Sequence, residues 1–302
     1  MIKAVCEVFA PSGKEDKIRK FIKNELKDTG VEITIDNIGN LIIGSCAAKR
    51  CIECGLDSCG IMIVLEKDGK AYFSGVGGIN AQYLIDKKIL FENGSFGIVR
   101  YDGKNLEECK ISDLYMEVEK DSVKVGNFGV VEPNFCENNE KIFANGLGNR
   151  IGVALVLEAI KRAGDLSDTC VIFSAQKRFN SKGIQAFFGA NEFDEVITVD
   201  KVGCKNGINL GDGCILVVAD KSGVCDKSLK EKLLGFTSDD IRVKPAVTDE
   251  NLSIGRILGL GKGTKCAAVG IAVSNNDKTF ESVNKSDFDE AVKFLTEVIK
   301  PR

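Results

Sequence analysis

From residue 146 to the C-terminus, helical and strand patterns alternate without a break, and that alternation most constrains the fold. "RIGVALVLEAIKRAG" has helical periodicity and "TCVIFSA" is a continuous apolar strand. A helix over 182–190 leads to the strand "EVITVD". The strand "CILVVA", a helix after 227, a helix near 250–259 and the strand "CAAVGIAV" follow. A last helix begins near Ser286, with Asp289 three residues on. Strands apolar on both faces, interleaved with helices, imply an α/β sheet covered by helices.

The first 66 residues carry the same texture. Ser12 and Glu15 have the spacing of a capping box, and Ile18, Phe21, Ile22 and Leu26 recur at helical spacing towards a stop at Gly30. "VEITID" and "NLIIGS" read as strands around a turn at Asn37 to Asn40; 51–56 and 61–66 read as two more. Between 67 and 140 no helical period appears. Short apolar runs alternate there with turn signals at Asp68-Gly69, Asn93-Gly94 and Asp102-Gly103. The expected architecture is a discontinuous α/β domain, 1–66 and 141–302, holding a mixed sheet covered by helices. An inserted small all-β, barrel-like domain at 67–140 would serve assembly.

The chain of 302 residues has a formal charge of -3, so no basic excess points to nucleic acid. No run of about 18 apolar residues suggests a membrane span, and the start lacks the pattern of a secretory leader. Twelve cysteines without such a leader read as free thiols in a reducing cytoplasm. Histidine is absent. Any catalytic scheme must therefore work without imidazole, the commonest metal ligand and general base near neutral pH. The glycine-rich "NGLGN" and "GVGG" match neither phosphate-binding pattern, so no nucleotide is expected.

Cys46, Cys51, Cys54 and Cys59 form a C-x4-C-x2-C-x4-C run that invites a metal, iron–sulfur or redox reading. If 51–56 is a strand, Cys51 and Cys54 face opposite sides and cannot grip one ion without a bend. Buried free thiols are the favoured reading. Cys46 and Cys59 are then the better candidates for reactivity, and Gly55 keeps a metal knuckle open.

Eight segments, "VCEVFAPSGKED", "DNIGNLI", "GLDSCG", "GVGG", "GLGNRIG", "SAQKRFNSKG", "VITVD" and "TDENLSIGRILGLG", run in an order that resembles the M42 family of aminopeptidases. The resemblance includes the glutamyl and deblocking aminopeptidases and covers nearly the whole chain. It implies cytosolic metallopeptidases with an α/β domain, an inserted β domain and large self-compartmentalised assemblies. It also implies two divalent metals, zinc or cobalt, about 4 Å apart, which activate water and polarise a peptide carbonyl.

The ligands implied by the resemblance are mostly missing. Its His-x-Asp falls on Gly55-Leu56-Asp57, its bridging Asp on Gly148 with Asn149 beside it, and its Glu-Glu pair on Lys177 and Arg178. Asp200 is retained, and the late His falls near Thr279. Lys177 and Arg178 would then offset Asp57 and Asp200 in place of the metals. Thr248-Asp249 resembles a segment near substrate, although a helix cap explains Asp249 equally well.

The expectation is a degenerate, metal-free, peptidase-inactive member with no cofactor. It would bind a peptide or small carboxylate in the former cleft, or serve as a scaffold. It would be a homo-oligomer, dimer or dodecamer, or share a mixed oligomer with an active relative. Two alternatives stand beside it. One is an active aminopeptidase whose metal is held by Asp57 and Asp200 with Cys54 or Cys59. The other is a cysteine-based metal or redox protein.

Overall fold

The computed structural model describes residues 1–302 except Asp277, Thr279, Arg302 and the side chain of Asn149. Near the N-terminus, α1 (Ile2–Cys6) and α2 (Asp16–Leu26) precede β1 (Ile33–Ile35), β2 (Leu41–Ile43) and β3 (Arg50–Gly55). Next come six strands: β4 (Gly60–Lys67), β5 (Lys70–Val76), β6 (Lys88–Phe91), β7 (Phe96–Tyr101), β8 (Leu114–Val118) and β9 (Phe128–Val131). A short pair follows, β10 (Phe135–Glu137) and β11 (Lys141–Ala144). The alternating half comprises α3 (Leu147–Ala163), β12 (Thr169–Ser174), α4 (Lys182–Ala190), β13 (Glu195–Gly203), β14 (Cys214–Ala219) and α5 (Lys227–Leu234). It ends with β15 (Val243–Val247), α6 (Ile254–Leu258), β16 (Lys265–Val273), β17 (Glu281–Asn284) and α7 (Lys285–Ile299).

The main sheet has eight strands in the order β1-β2-β12-β3-β13-β16-β14-β15. Its centre, β12, β3, β13 and β16, is parallel. β2 and β14 run antiparallel to their neighbours in that centre. The central strands are buried almost throughout, as expected when both faces are covered. One face packs on α3 and α7, through residues such as Ile151, Leu155, Val292 and Leu295; the other packs on α4 and α6, through Ile184, Phe187 and Ile257. Helix α3 approaches closely at Gly152, where a Cβ would stand 2.9 Å from Cys54 Sγ and 3.0 Å from Val199 O.

The inserted unit is a closed barrel, β4-β5-β8-β7-β6-β9, filled by Ile61, Ile63, Phe73, Ile89, Phe91, Val99 and Met116. Its limits differ from the expected 67–140. The strand at 61–66 belongs to the barrel rather than to the α/β sheet, because β4 closes it by pairing with β9. At the other end, β10 and β11 leave the barrel and form a separate three-stranded sheet with β17. The chain passes from sheet to barrel in only four residues, 56–59. Everything set on the ends of β3 and β12 therefore lies under the barrel.

Two more elements differ from expectation. β15 holds Pro245, which the edge of the sheet tolerates because the missing N–H costs no ladder bond there. Ser12 and Glu15 form no capping box. Helix α2 starts after Glu15 with no side-chain cap, and both side chains turn towards the sheet.

Candidate functional site

At the carboxyl ends of β3 and β12 the chain gathers buried charge. Leu56 donates its N–H to Ser174 O, which carries the strand pairing one residue past Gly55 and sets Asp57 beside the turn that follows β12. Asp57 is fully buried. Its Oδ1 accepts the Lys177 N–H at 3.0 Å, and its Oδ2 accepts the Arg178 N–H at 2.9 Å and the Ser12 hydroxyl at 2.5 Å. Gln176, with φ of 49°, bends the backbone so that both amides face the carboxylate. Glu15 steadies the same turn by accepting the Gln176 N–H at 3.1 Å.

The Lys177 side chain turns inward. Its Nζ lies 3.0 Å from Asp200 Oδ2 and 3.1 Å from Glu53 Oε2, and Glu53 Oε1 accepts the Ser174 hydroxyl at 2.5 Å. Burial alone would lower the affinity of Lys177 for its proton, but Asp200 and Glu53 outweigh it and hold the ammonium charged beyond the ordinary lysine range. Burial also pulls Asp200 up, yet Lys177, with help from the Lys201 N–H, leaves it below the usual aspartate range. Glu53 moves the other way: desolvation lifts it further than Lys177 and Ser174 pull it down.

Arg178 takes a different path. Its guanidinium runs towards α3 and fills the space that a side chain at Gly148 would need; a Cβ there would stand 2.8 Å from Nη2. Its aliphatic stem passes Gly77 of the barrel, where a Cβ would stand 3.0 Å from Arg178 Cβ. Beside it, Lys201 reaches Glu281 Oε1 at 3.5 Å and also donates to Asn276 Oδ1. Glu281 Oε2 accepts the Gly148 N–H at 3.2 Å.

Above these groups a cavity of about 120 Å³ opens between the sheet ends and the barrel. Among the described residues, its polar lining includes Arg150, Arg178, Lys201 and Lys278 and the carboxylate of Glu281. The barrel contributes an apolar wall that includes Ile79, Tyr83, Leu84 and Val130. Arg150 is tied down by Leu56 O and Val8 O, both at 3.0 Å, and burial draws its proton affinity down to about 10.

Among the described residues, no group of three or more His, Cys, Asp or Glu side chains could hold a metal ion. The donor chemistry agrees. Among the described residues, the Asp57 oxygens accept from Ser12 and from the Lys177 and Arg178 amides, and the Asp200 oxygens hold an ammonium and a backbone N–H. A divalent pair does not fit these residues as arranged. Cys54 is buried in the core, where desolvation pushes its thiol well up. Cys59 does reach the cavity, and its thiol donates to Gly77 O at 3.1 Å.

The expected residues therefore divide. Gly55, Asp57, Gly148, Lys177, Arg178 and Asp200 converge on one region. Thr279 and the side chain of Asn149 lie outside the described residues. The expected pairing needs correction in detail, since the Lys177 side chain serves Glu53 and Asp200 while Asp57 is met by backbone amides and Ser12. Asp249 does not cap α6, whose N-cap is Ser253. Cys51 and Cys54 lie in opposite cores, as strand alternation requires.

Glu53, Lys201 and Glu281 were not anticipated. The first had a readable signal: a lone carboxylate inside the buried strand "RCIECG" calls for a partner. Glu281 had none, because its role depends on β17 returning to the site from far along the chain.

A family model described as M42 glutamyl aminopeptidase matches residues 39–294. The chain belongs to that family. The M42 chain is 26% identical to a putative aminopeptidase of Acetivibrio thermocellus, over 99% of its own length and 97% of the relative's. It is 27% identical to the lysyl aminopeptidase of Pyrococcus furiosus, over 100% and 97%. Its fold matches the TET1 peptidase of Pyrococcus horikoshii with a TM-score of 0.89 at 22% identity, covering 100% and 98%; that protein can assemble into a tetrahedron or a large octahedral shell. The M42 fold thus accounts for the mixed sheet and the inserted barrel together. Among the described residues, no helix is long and apolar enough to cross a membrane.

Proposed function

We propose that this M42 member works without metal, does not hydrolyse peptides, and binds a small carboxylate or the C-terminal carboxylate of a peptide in its cavity. The observation that carries the reading is the Lys177 ammonium, 3.0 Å from Asp200 and 3.1 Å from Glu53. An ammonium between these carboxylates supplies the charge that a metal would otherwise supply, and it repels an entering cation. The cavity repeats that logic. An aminopeptidase must receive a substrate's N-terminal ammonium, whereas Arg150, Arg178, Lys201 and Lys278, among the described lining residues, favour an anion. The apolar wall suits a hydrophobic side chain next to the bound carboxylate.

The competing reading is a metal-dependent aminopeptidase with remodelled ligands, which the names of the relatives favour. One experiment separates the two. Untagged protein is analysed for metal, offered zinc, cobalt and manganese, and assayed on aminoacyl reporters. Its binding to N-acetyl-leucine, which has a carboxylate and no amine, is compared with leucinamide, which has the reverse. The proposal expects no cleavage and a preference for N-acetyl-leucine that Arg178→Ala weakens. Metal uptake with cleavage, or a preference for leucinamide, overturns it.

Assembly follows the same family logic. The barrel exposes Val64, Leu65 and Phe96, and we propose that the chain forms a homo-oligomer. Light scattering that returns a single-chain mass would reject this.

A further inference from the structure

The barrel is not evenly paired around its circumference. β5 pairs with β4 along its whole length, from Lys70 opposite Lys67 to Val76 opposite Gly60. On its other side, among the described residues, β8 meets it only at Lys70–Glu117 and Ala71–Met116. From Tyr72 to Val76 the strand therefore has one neighbour, and alternate residues there turn their N–H and C=O groups away from β4. A groove runs along this edge. It is lined by Tyr72, Ser74 and Gly75 of the strand and by Ile111 and Ser112 of the turn that precedes β8. Ile79 and Gly78 line both this groove and the cavity, so the two are continuous.

The edge ends at a cation. Gly77 and Gly78, with φ of 77° and 80°, turn the chain aside directly after β5. Arg178 Nη1 lies 3.5 Å from Gly77 O, which sets the guanidinium beside the end of the strand. Resting on the carboxylate-binding reading above, we propose that the ligand is the C-terminal segment of a peptide, added as a strand to the edge of β5. Its terminal carboxylate meets Arg178, and its last side chain lies on the wall of Ile79, Tyr83 and Leu84. The preceding residues run back past Ile79 beside Gly75, Ser74 and Tyr72. Because β5 runs from Tyr72 towards the cavity, the peptide lies parallel to it.

Strand addition of this kind draws affinity from main-chain hydrogen bonds and selectivity from the pockets that flank them. At about 3.3 Å per residue, the stretch from Tyr72 to Gly75 matches about four residues of peptide. A small carboxylate would fill the cavity and leave the edge unpaired. A second copy of this chain laid along the edge would pair its backbone but bring no terminal carboxylate to Arg178. A peptide terminus satisfies both. The groove residues carry no charge, so the residues before the last are expected to be uncharged.

The test titrates the untagged full-length chain in a calorimeter with N-acetyl-leucine, with the N-acetylated tetrapeptide Ala-Val-Ala-Leu, and with that peptide as its C-terminal amide. The tetrapeptide acid should bind at least about tenfold tighter than N-acetyl-leucine, since it adds main-chain hydrogen bonds, and the amide should lose most of that affinity. Two further peptides carry an N-methyl group on one or the other of two adjacent amides. Successive amides of a strand point to opposite sides, so one isomer should lose the gain and the other should keep it. If N-acetyl-leucine binds and the tetrapeptide binds no tighter, or if both N-methyl isomers bind equally, the edge takes no peptide strand; this inference then falls and the carboxylate reading stands. If N-acetyl-leucine does not bind and the acid is no better than the amide, the carboxylate reading falls and takes this inference with it.

Discussion

Lys177 Nζ sits between Asp200 Oδ2, 3.0 Å away, and Glu53 Oε2, 3.1 Å away, with all three residues nearly shut off from solvent. A pair of this kind is costly to break from one side, since the remaining charges stay buried. Lys177→Met should cost about 3–5 kcal/mol in urea unfolding. Adding Glu53→Gln and Asp200→Asn to it should recover much of the loss. If the single variant is as stable as the parent, the ammonium does not neutralise these acids.

The same three residues set opposing pH effects. Asp200 is depressed in the folded state, so its contribution is present above the unfolded aspartate value, near 3.9, and is lost as pH falls through the lower folded value. Glu53 is raised, so its ionisation opposes folding progressively from about 4.3 up to its folded value. Lys177 is raised, so its contribution is complete below about 10.4 and is lost only as pH rises towards the folded value. Asp200→Asn should therefore flatten the acid limb of stability against pH. Glu53→Gln should remove a decline just above pH 4, measured by unfolding across a buffer series.

Ser12 gives a sharper test, because two roles predict opposite outcomes. As an N-cap it would be replaced well by Asp, which caps helices about equally. As donor to the buried Asp57 carboxylate, at 2.5 Å, it would not. Ser12→Ala should cost about 1–3 kcal/mol, and Ser12→Asp should cost more by setting two carboxylates together. Chemical denaturation of the two variants decides between the roles.

That case also marks how far the sequence could be read. The α/β half was legible because each strand was apolar and bounded, and α4 falls on 182–190 as its periodicity required. β4 was assigned to the wrong unit because apolar alternation records burial, not which sheet supplies the partner. The site was legible at Asp57, Lys177, Arg178 and Asp200 through family order. The direction of Lys177 was not, since it depends on Glu53 lying across the strand pairing. Ser12 matched a local pattern whose side chain was claimed by a residue 45 positions away.

Two glycines separate the roles of packing and binding at the site. At Gly270, paired with Asp200 in the ladder, a Cβ would fall 1.8 Å from Asp200 O. Backbone on both sides cannot yield, so Gly270→Ala should cost about 3 kcal/mol or more and displace the carboxylate that holds Lys177. At Gly148 the Cβ would meet Arg178 Nη2, the far end of a flexible side chain, at 2.8 Å. The guanidinium can move, but the Gly148 backbone, at φ -18° and ψ -109°, is non-helical, so Gly148→Ala should cost about 1–3 kcal/mol, less than Gly270→Ala. It would nevertheless shift the cation placed to meet a carboxylate, and affinity for N-acetyl-leucine should fall about tenfold, equivalent to about 1.4 kcal/mol. Calorimetric binding and urea unfolding on both variants check the contrast. Equal losses of stability would place Arg178 in the packing of the site, and unchanged affinity in Gly148→Ala would remove it from the binding surface.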